Sequence, residues 1–284
     1  MLRRALHRQP RARQLWAADS TPVSACLEEH PLETVFLRSE IRQGALRQGS
    51  LLGVEHPSDR RIHAVLMHGP LVAPWAPDPR DLAVLARALR PHVAWIQLMV
   101  GPSDQVAGLQ AALDPWLPPV RLLRAEQPHY AVDLGSLAPE AGQPPPLRLA
   151  RAEDLDEMVR AGAAMHLEEV GFDPMTVDPN GYRERVLTLI RRGRLYVWME
   201  GGRVAFKAEC SSVTPEAVQL QGVWTDPELR RQGRASRAMI TLCHLLLSET
   251  EWVTLFVNDF NDTAIRVYER TGFARIGSMR SVLF

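Results

Sequence analysis

The stretch Val223-Trp-Thr-Asp-Pro-Glu-Leu-Arg-Arg-Gln-Gly-Arg-Ala-Ser236 precedes an apolar-periodic run and decides the fold. It reads as the end of an apolar strand, a proline turn, a basic loop around one glycine, and a helix start. A helix start carries backbone N–H groups without intrahelical acceptors and the positive end of the helix dipole, so together they attract an anion. Gly233 lets a ligand approach the backbone, and small Ala235 and Ser236 keep the entrance open. Arg230, Arg231 and Arg234 add charge suited to a pyrophosphate. Arg-rich loops beside helices are common, so the stretch alone specifies an anion site and no particular ligand.

Further down the chain, strand Trp252 to Val257 leads into Asn261-Asp-Thr-Ala264-Ile-Arg-Val-Tyr268-Glu-Arg-Thr-Gly272-Phe273. Arg230-x-x-Gly233-x-Ala235 resembles the pyrophosphate loop of the GNAT superfamily of N-acetyltransferases. Asn261-x-x-Ala264-x-x-x-Tyr268-x-x-x-Gly272-Phe273 is similar to the second signature of that family. Ala235 stands where many members have glycine, which the family pattern tolerates. The resemblance covers roughly residues 147 to 284. It implies acetyl-CoA as cosubstrate, held by the loop Arg230, Arg231, Gln232, Gly233, Arg234, Ala235 and Ser236. Backbone groups of Val223 and Thr225 are expected beside the pantetheine, with Asn258 and Asn261 also facing the cofactor.

At 284 residues the chain is long enough for two medium domains. The proline-rich segment Ala138 to Pro146 disfavours helix and sheet and marks the break. The expected domains are therefore 1–143 and 144–284. Both read as mixed α/β (α+β) from their alternation of strand and helix patterns. Gly101-Pro102-Ser103-Asp104-Gln105-Val106 through Gln127-Pro128 is similar to a domain of unknown function found ahead of GNAT domains in bacterial proteins. The first half is expected to be a degenerate GNAT-like domain whose strand, loop and helix at Val93 to Trp116 stand in for the cofactor-binding unit. That loop carries an acid and a proline and no arginine, so no cofactor is expected there. Ser103 and Asp104 read as helix caps.

The formal net charge is zero, which gives no long-range field toward nucleic acid or an anionic membrane. No apolar run reaches the roughly 20 residues of a membrane span. Three scattered cysteines form neither a disulfide framework nor a zinc motif, and a reducing cytoplasm is the expected setting. The Arg-rich start, Met1 to Trp16, reads as a solvated tail or an early helix. His166 and His244 lack partners at metal-ligand spacing and read as structural, so no metal is expected.

Acetyl transfer to an amine needs a base for the ammonium proton, a donor for the carbonyl oxygen and a proton for the departing thiolate. The resemblance places Tyr268 beside the thioester sulfur as the acid. Period-two alternation in Ala205-Phe-Lys-Ala-Glu209-Cys puts Lys207 and Glu209 on one strand face, near Gln221 of the following strand. A carboxylate buried there is expected to have a raised pKa and to act as base; pairing with Lys207 or an arginine is the competing reading. Glu168 and Glu169, at a helix end that roofs the acceptor pocket in the family, are candidates to hold a cationic amine, with Gln221 as a further substrate contact. The expected function is N-acetyl transfer from acetyl-CoA to a primary amine by direct attack in a ternary complex, in a monomer or homodimer. A noncatalytic acyl-CoA-binding sensor is the alternative. A nucleotide-binding enzyme is a third reading, against which neither phosphate-loop glycine pattern is complete.

Overall fold

The computed structural model describes residues 9–140 and 142–284. Met1 to Arg8 lie outside the described residues, and with them half of the expected N-terminal tail. The chain forms two compact units: residues 1–129 with 256–260 and 276–284, and residues 130–255 with 261–275. The units part at 129/130 rather than at the expected 143/144, and the first takes back the last nine residues of the chain.

The first unit contains β1 (Arg11–Leu15), α1 (Ser20–Glu28), α2 (Val35–Gln43), α3 (Ala45–Gln48), β2 (Leu51–Glu55), β3 (Ile62–Met67), β4 (Leu71–Trp75), α4 (Pro79–Leu89), β5 (Leu98–Pro102), α5 (Ser103–Leu113) and most of β6 (Leu122–Val132). The second contains β7 (Arg148–Leu149), α6 (Leu155–Val170), α7 (Pro174–Val177), α8 (Pro179–Arg191), β8 (Leu195–Glu200), β9 (Arg203–Val213), β10 (Ala217–Thr225), α9 (Arg234–Leu247), β11 (Trp252–Phe256) and α10 (Asp262–Thr271). The final strand, β12 (Ala274–Leu283), pairs antiparallel with β5, Arg280 opposite Gly101 and Val282 opposite Met99.

Strand order in the first unit is β1-β2-β3-β4-β5-β12-β6, and in the second β11-β10-β9-β8-β7. Both sheets are mixed. β4 pairs parallel with β5 in the first, β10 parallel with β11 in the second, and the remaining registers are antiparallel. Each unit runs strand, helices, three antiparallel strands, helix, parallel strand, helix, which is the two-domain α/β layout expected. Cores form where the periodicity puts apolar faces: Met158, Val159, Met165, Tyr182, Val186 and Ile190 of α6 and α8 are buried together. Val282 and Phe284, at the end of the chain, are buried in the first unit's core with Leu85, Met99 and Leu109.

This order corrects the sequence reading of the first unit. The segment matching β10–α9 is β4–α4, and Val93–Trp116 instead matches β11–α10. The β4–α4 connection is Ala76-Pro77-Asp78, in which Asp78 caps α4 by accepting from the Arg80 N–H at 2.8 Å. A short loop whose carboxylate already takes a first-turn donor leaves little for a phosphate. Ser103 and Asp104 are not caps: Pro102 holds the cap position of α5, and the Ser103 hydroxyl donates to the Ala125 carbonyl and Glu126. Arg11–Leu15, expected as tail or helix, is an edge strand on β2.

Candidate active site

β10 and β11 pair only from Ala217 to Gln219 against Trp252 to Thr254; beyond that point β10 keeps its β9 neighbours alone among the described residues. The two parallel strands therefore splay, and β10 beyond Gln219 has no strand partner on its β11 side among the described residues, although the Gly222 and Thr225 carbonyls take side-chain donors. A bulge between Gln221 and Trp224 sharpens the divergence, with Gly222 at φ 57°. α9 begins where the splay widens. Its cap, Gly233, is left-handed at φ 72° with no side-chain cap, and the first helical bond runs from Arg237 N–H to the Gly233 carbonyl at 3.1 Å. The N–H groups of Arg234, Ala235 and Ser236 have no acceptor among the described residues. A Cβ added at Gly233 meets no atom within 4 Å, so the space in front of this helix end is open. Arg231 is one of two non-glycine residues at positive φ among the described residues, at 61°. Such a conformation costs about 1–3 kcal/mol and recurs at ligand-binding loops.

The arginines of this loop are not equivalent. Arg230 is committed within the protein: its Nε donates to the Thr225 carbonyl at 3.0 Å, and its Nη2 pairs with Glu168 at 2.7 Å. Arg234 pairs with Glu200 and lies over the Trp198 ring at 5.2 Å, and it also donates to Gln232. Only Arg231 keeps an exposed guanidinium with no ion pair among the described residues. Glu168, expected to hold a cationic amine, has its charge met by Arg230. Glu169 remains exposed near the loop end of α6 and acts electrostatically on Tyr268.

Tyr268 is buried on α10, its ring 5.9 Å from that of Phe273, and its hydroxyl has no hydrogen-bond partner among the described residues. Burial, with Glu169 adding to it, raises the phenol's pKa above its ordinary 10, so it keeps its proton at neutral pH. Asn261 caps α10 by accepting from Ala264 N–H at 3.1 Å. Asn258 belongs to the first unit, buried, and accepts from Gln127, which in turn accepts from Ser281. Its carbonyl oxygen is therefore already used.

Glu209 departs from the expected chemistry. Its Oε1 accepts from Lys207 Nζ at 3.1 Å, and its Oε2 accepts from Arg185 at 3.1 Å and Gln221 at 3.0 Å. Burial alone would raise its pKa, but Lys207, Arg185 and Gln221 together overcome that and hold it below the ordinary range, down to about 2. The competing reading, pairing with Lys207 and an arginine, is the observed one. A carboxylate this acidic and this fully bonded is a weak base. Lys207, the sole lysine of the chain, is buried and also donates to the Gly222 carbonyl in the bulge at 3.0 Å. The cluster therefore carries two cations to one anion beside the splay.

His166, read from the sequence as structural, lies near this cluster. Its half-buried ring stands edge-on to Tyr182 at 5.6 Å and Phe172 at 6.2 Å. Its Nδ1 is buried with no hydrogen-bond partner among the described residues. Burial lowers its pKa below 6.5, the Gly162 carbonyl opposing and Arg185 reinforcing, so the imidazole is neutral at pH 7. A lone histidine in a helical pattern gives no such signal, because α8 and β9 approach it only through folding.

The site thus combines a splayed pair of parallel strands, an open helix start and a buried tyrosine. Residues 162–273 match the model of the "Acetyltransferase (GNAT) family", and residues 49–158 that of "Domain of unknown function (DUF4081)". The C-terminal half of the chain thus resembles the GNAT family, and the half before it resembles a DUF4081 domain. No curated protein matches the sequence. The fold is similar to a GNAT-family acetyltransferase from Colwellia psychrerythraea, 11% identical over 98% of this chain and 100% of that one, with a TM-score of 0.60. It is also similar to a tandem GNAT protein from the clavulanic acid biosynthesis pathway, solved without AcCoA (14% identity, 96% and 98% coverage, TM-score 0.58). A GCN5-related N-acetyltransferase from Sphaerobacter thermophilus is 15% identical over 95% and 94% of the two chains, with a TM-score of 0.58. At these identities the likeness is one of fold.

Proposed function

We propose that the protein transfers an acetyl group from acetyl-CoA to a primary amine by direct attack within a ternary complex. The observation that carries this reading is the edge of β10 left without its β11 partner, ending at three acceptor-less N–H groups of α9, with the unpartnered hydroxyl of Tyr268 on α10. The pantetheine amides would add to the β10 edge, and the pyrophosphate would take the N–H groups of Arg234, Ala235 and Ser236, with Arg231 as the available cation. Thr225 contributes less than expected, since its carbonyl already accepts from Arg230.

In the transfer itself, the amine nitrogen bonds to the thioester carbon and the C–S bond breaks. The thiolate takes a proton from Tyr268, whose raised pKa keeps that proton available until sulfur leaves, and the extra proton of the attacking nitrogen returns to the phenolate as the amide forms. The ammonium proton goes to His166, whose ring burial keeps neutral and able to accept it. The surplus positive charge of Lys207 and Arg185 over Glu209 lowers the pKa of an amine brought beside it, which helps it lose that proton. The same surplus suits an acceptor with a carboxylate near its amine.

One observation favours the sensor reading instead: Glu209, the buried acid of the strand pair, is locked as an ion-pair partner. Turnover separates the two. The full-length protein with acetyl-CoA and a panel of amines and amino acids should release free thiol only with an acceptor present, and His166→Gln should lose the acid limb of the pH–rate profile. Tight CoA binding without thiol release from any acceptor would establish the sensor.

A further inference from the structure

The β2–β3 hairpin of the first unit carries a second constellation, unrelated to acyl transfer. β2 and β3 are in register at Val54 opposite Ala64, then slip so that Glu55 faces Ile62, which leaves His63 as the extra residue of a bulge. Bulges re-aim side chains, and here the His63 ring stacks on His56 with centroids 4.0 Å apart and planes at 19°. His56 Nε2 lies 2.7 Å from Asp81 Oδ1, and His63 Nε2 lies 2.8 Å from Asp59 Oδ2. Asp81 comes from the first turn of α4, and its carboxylate is only 3% exposed. A buried carboxylate facing one imidazole is costly unless a stronger cation completes it. Asp59 sits at the hairpin tip beside Arg60, held at φ 58°. One donor atom from each of His56, His63 and Asp81 falls within 4.8 Å of the others.

We propose that His56, His63 and Asp81, with Asp59 as fourth ligand, bind a divalent transition metal, Zn²⁺ above all, and so pin the hairpin to the start of α4. Two imidazoles and two carboxylates form a mixed nitrogen–oxygen set that suits Zn²⁺ and disfavours Mg²⁺ and Ca²⁺, which take oxygen ligands. The donor atoms of His56, His63 and Asp81 lie within 4.8 Å of one another, so side-chain shifts of up to about 1.5 Å bring them to tetrahedral spacing around an ion with bonds of roughly 2.0–2.1 Å. The sequence reading, which weighed only the cysteines, His166 and His244, expected no metal; His56 and His63 are seven apart across a turn and Asp81 is 25 residues from His56.

The test is calorimetric titration of untagged, chelator-stripped full-length protein with Zn²⁺, alone and with excess Mg²⁺. One equivalent should bind, unaffected by Mg²⁺. His63→Ala is a half-exposed substitution checked for folding by circular dichroism. It should weaken binding by more than about 100-fold, beyond what loss of an outer-shell partner costs. His244→Asn, on α9, should leave it unchanged. Absence of saturable binding, several weak equivalents, or undiminished affinity in folded His63→Ala would each overturn the proposal.

Discussion

Replacing Glu209 by Gln leaves Lys207 and Arg185 facing a neutral amide in a buried site. Removing one partner of such a cluster costs about 3–5 kcal/mol, far more than a surface pair is worth, and urea unfolding should show that loss. The pH dependence follows from the same contacts. Glu209 ionises more readily folded than unfolded, so its contribution is complete above pH 4.5 and is lost as pH falls toward 2. Parent and Glu209→Gln should therefore converge in stability at the acid end of that range; a gap independent of pH would point to packing instead. Tyr268→Phe belongs to the chemistry rather than the fold. It should lower kcat by roughly 10- to 1000-fold with CoA affinity unchanged, the signature of a lost general acid. Unchanged kcat would return the thiolate proton to water. Tyr268 could be read from the sequence because its flanking residues are in register. The Arg230–Glu168 pair could not, because its partners are 62 residues apart and each alone looks like a solvated charge.

Helices and strands of the second unit were legible to within a residue or two. β11 ends one residue short of the expected Val257, and α9 begins two residues before the expected Ser236. Clean periodicity fixed them. The first unit was harder. β4 and β6 hold Pro74 and Pro128 within them, and β1 is Arg-Ala-Arg-Gln-Leu, so none carries an apolar alternation free of breakers. The splay between β10 and β11 is invisible in sequence, since it consists of hydrogen bonds that are not made. A capping glycine tests the α10 geometry. Gly272 sits at φ 106°, and an added Cβ would lie 2.1 Å from the Ser136 carbonyl oxygen. Gly272→Ala should destabilise the protein by about 2–4 kcal/mol, through strain and displaced backbone. Thermal unfolding within about 1 °C of the parent would show that the 136–138 segment yields freely.

The chain's path makes its C-terminus part of the N-terminal unit. Val282 is fully buried there, and β12 is hydrogen-bonded to β5. Val282→Ala should cost roughly 2–3 kcal/mol from lost burial plus a small cavity, with faster amide exchange in β5; loss confined to β10 and β11 would contradict that placement. Cutting the chain at the proline segment therefore removes a core strand from the first unit, so its capacity for CoA is tested only in the intact protein. Acid adds a second stress on that unit. Burial lowers the His129 pKa from 6.5 to about 4, so the stability tied to its neutral form is lost as pH falls across that interval. The two units also differ in what they offer a cofactor. The second has an open glycine-capped helix start, and the first has a three-residue connection capped by Asp78. Calorimetric titration of the intact chain with CoA, beside Gly233→Asp, tests that claim most directly. The account predicts one equivalent of micromolar order for the parent, and at least about tenfold weaker binding for the variant, in which a carboxylate stands where the pyrophosphate would lie. Two equivalents per chain, or parent-like affinity in Gly233→Asp, would contradict it.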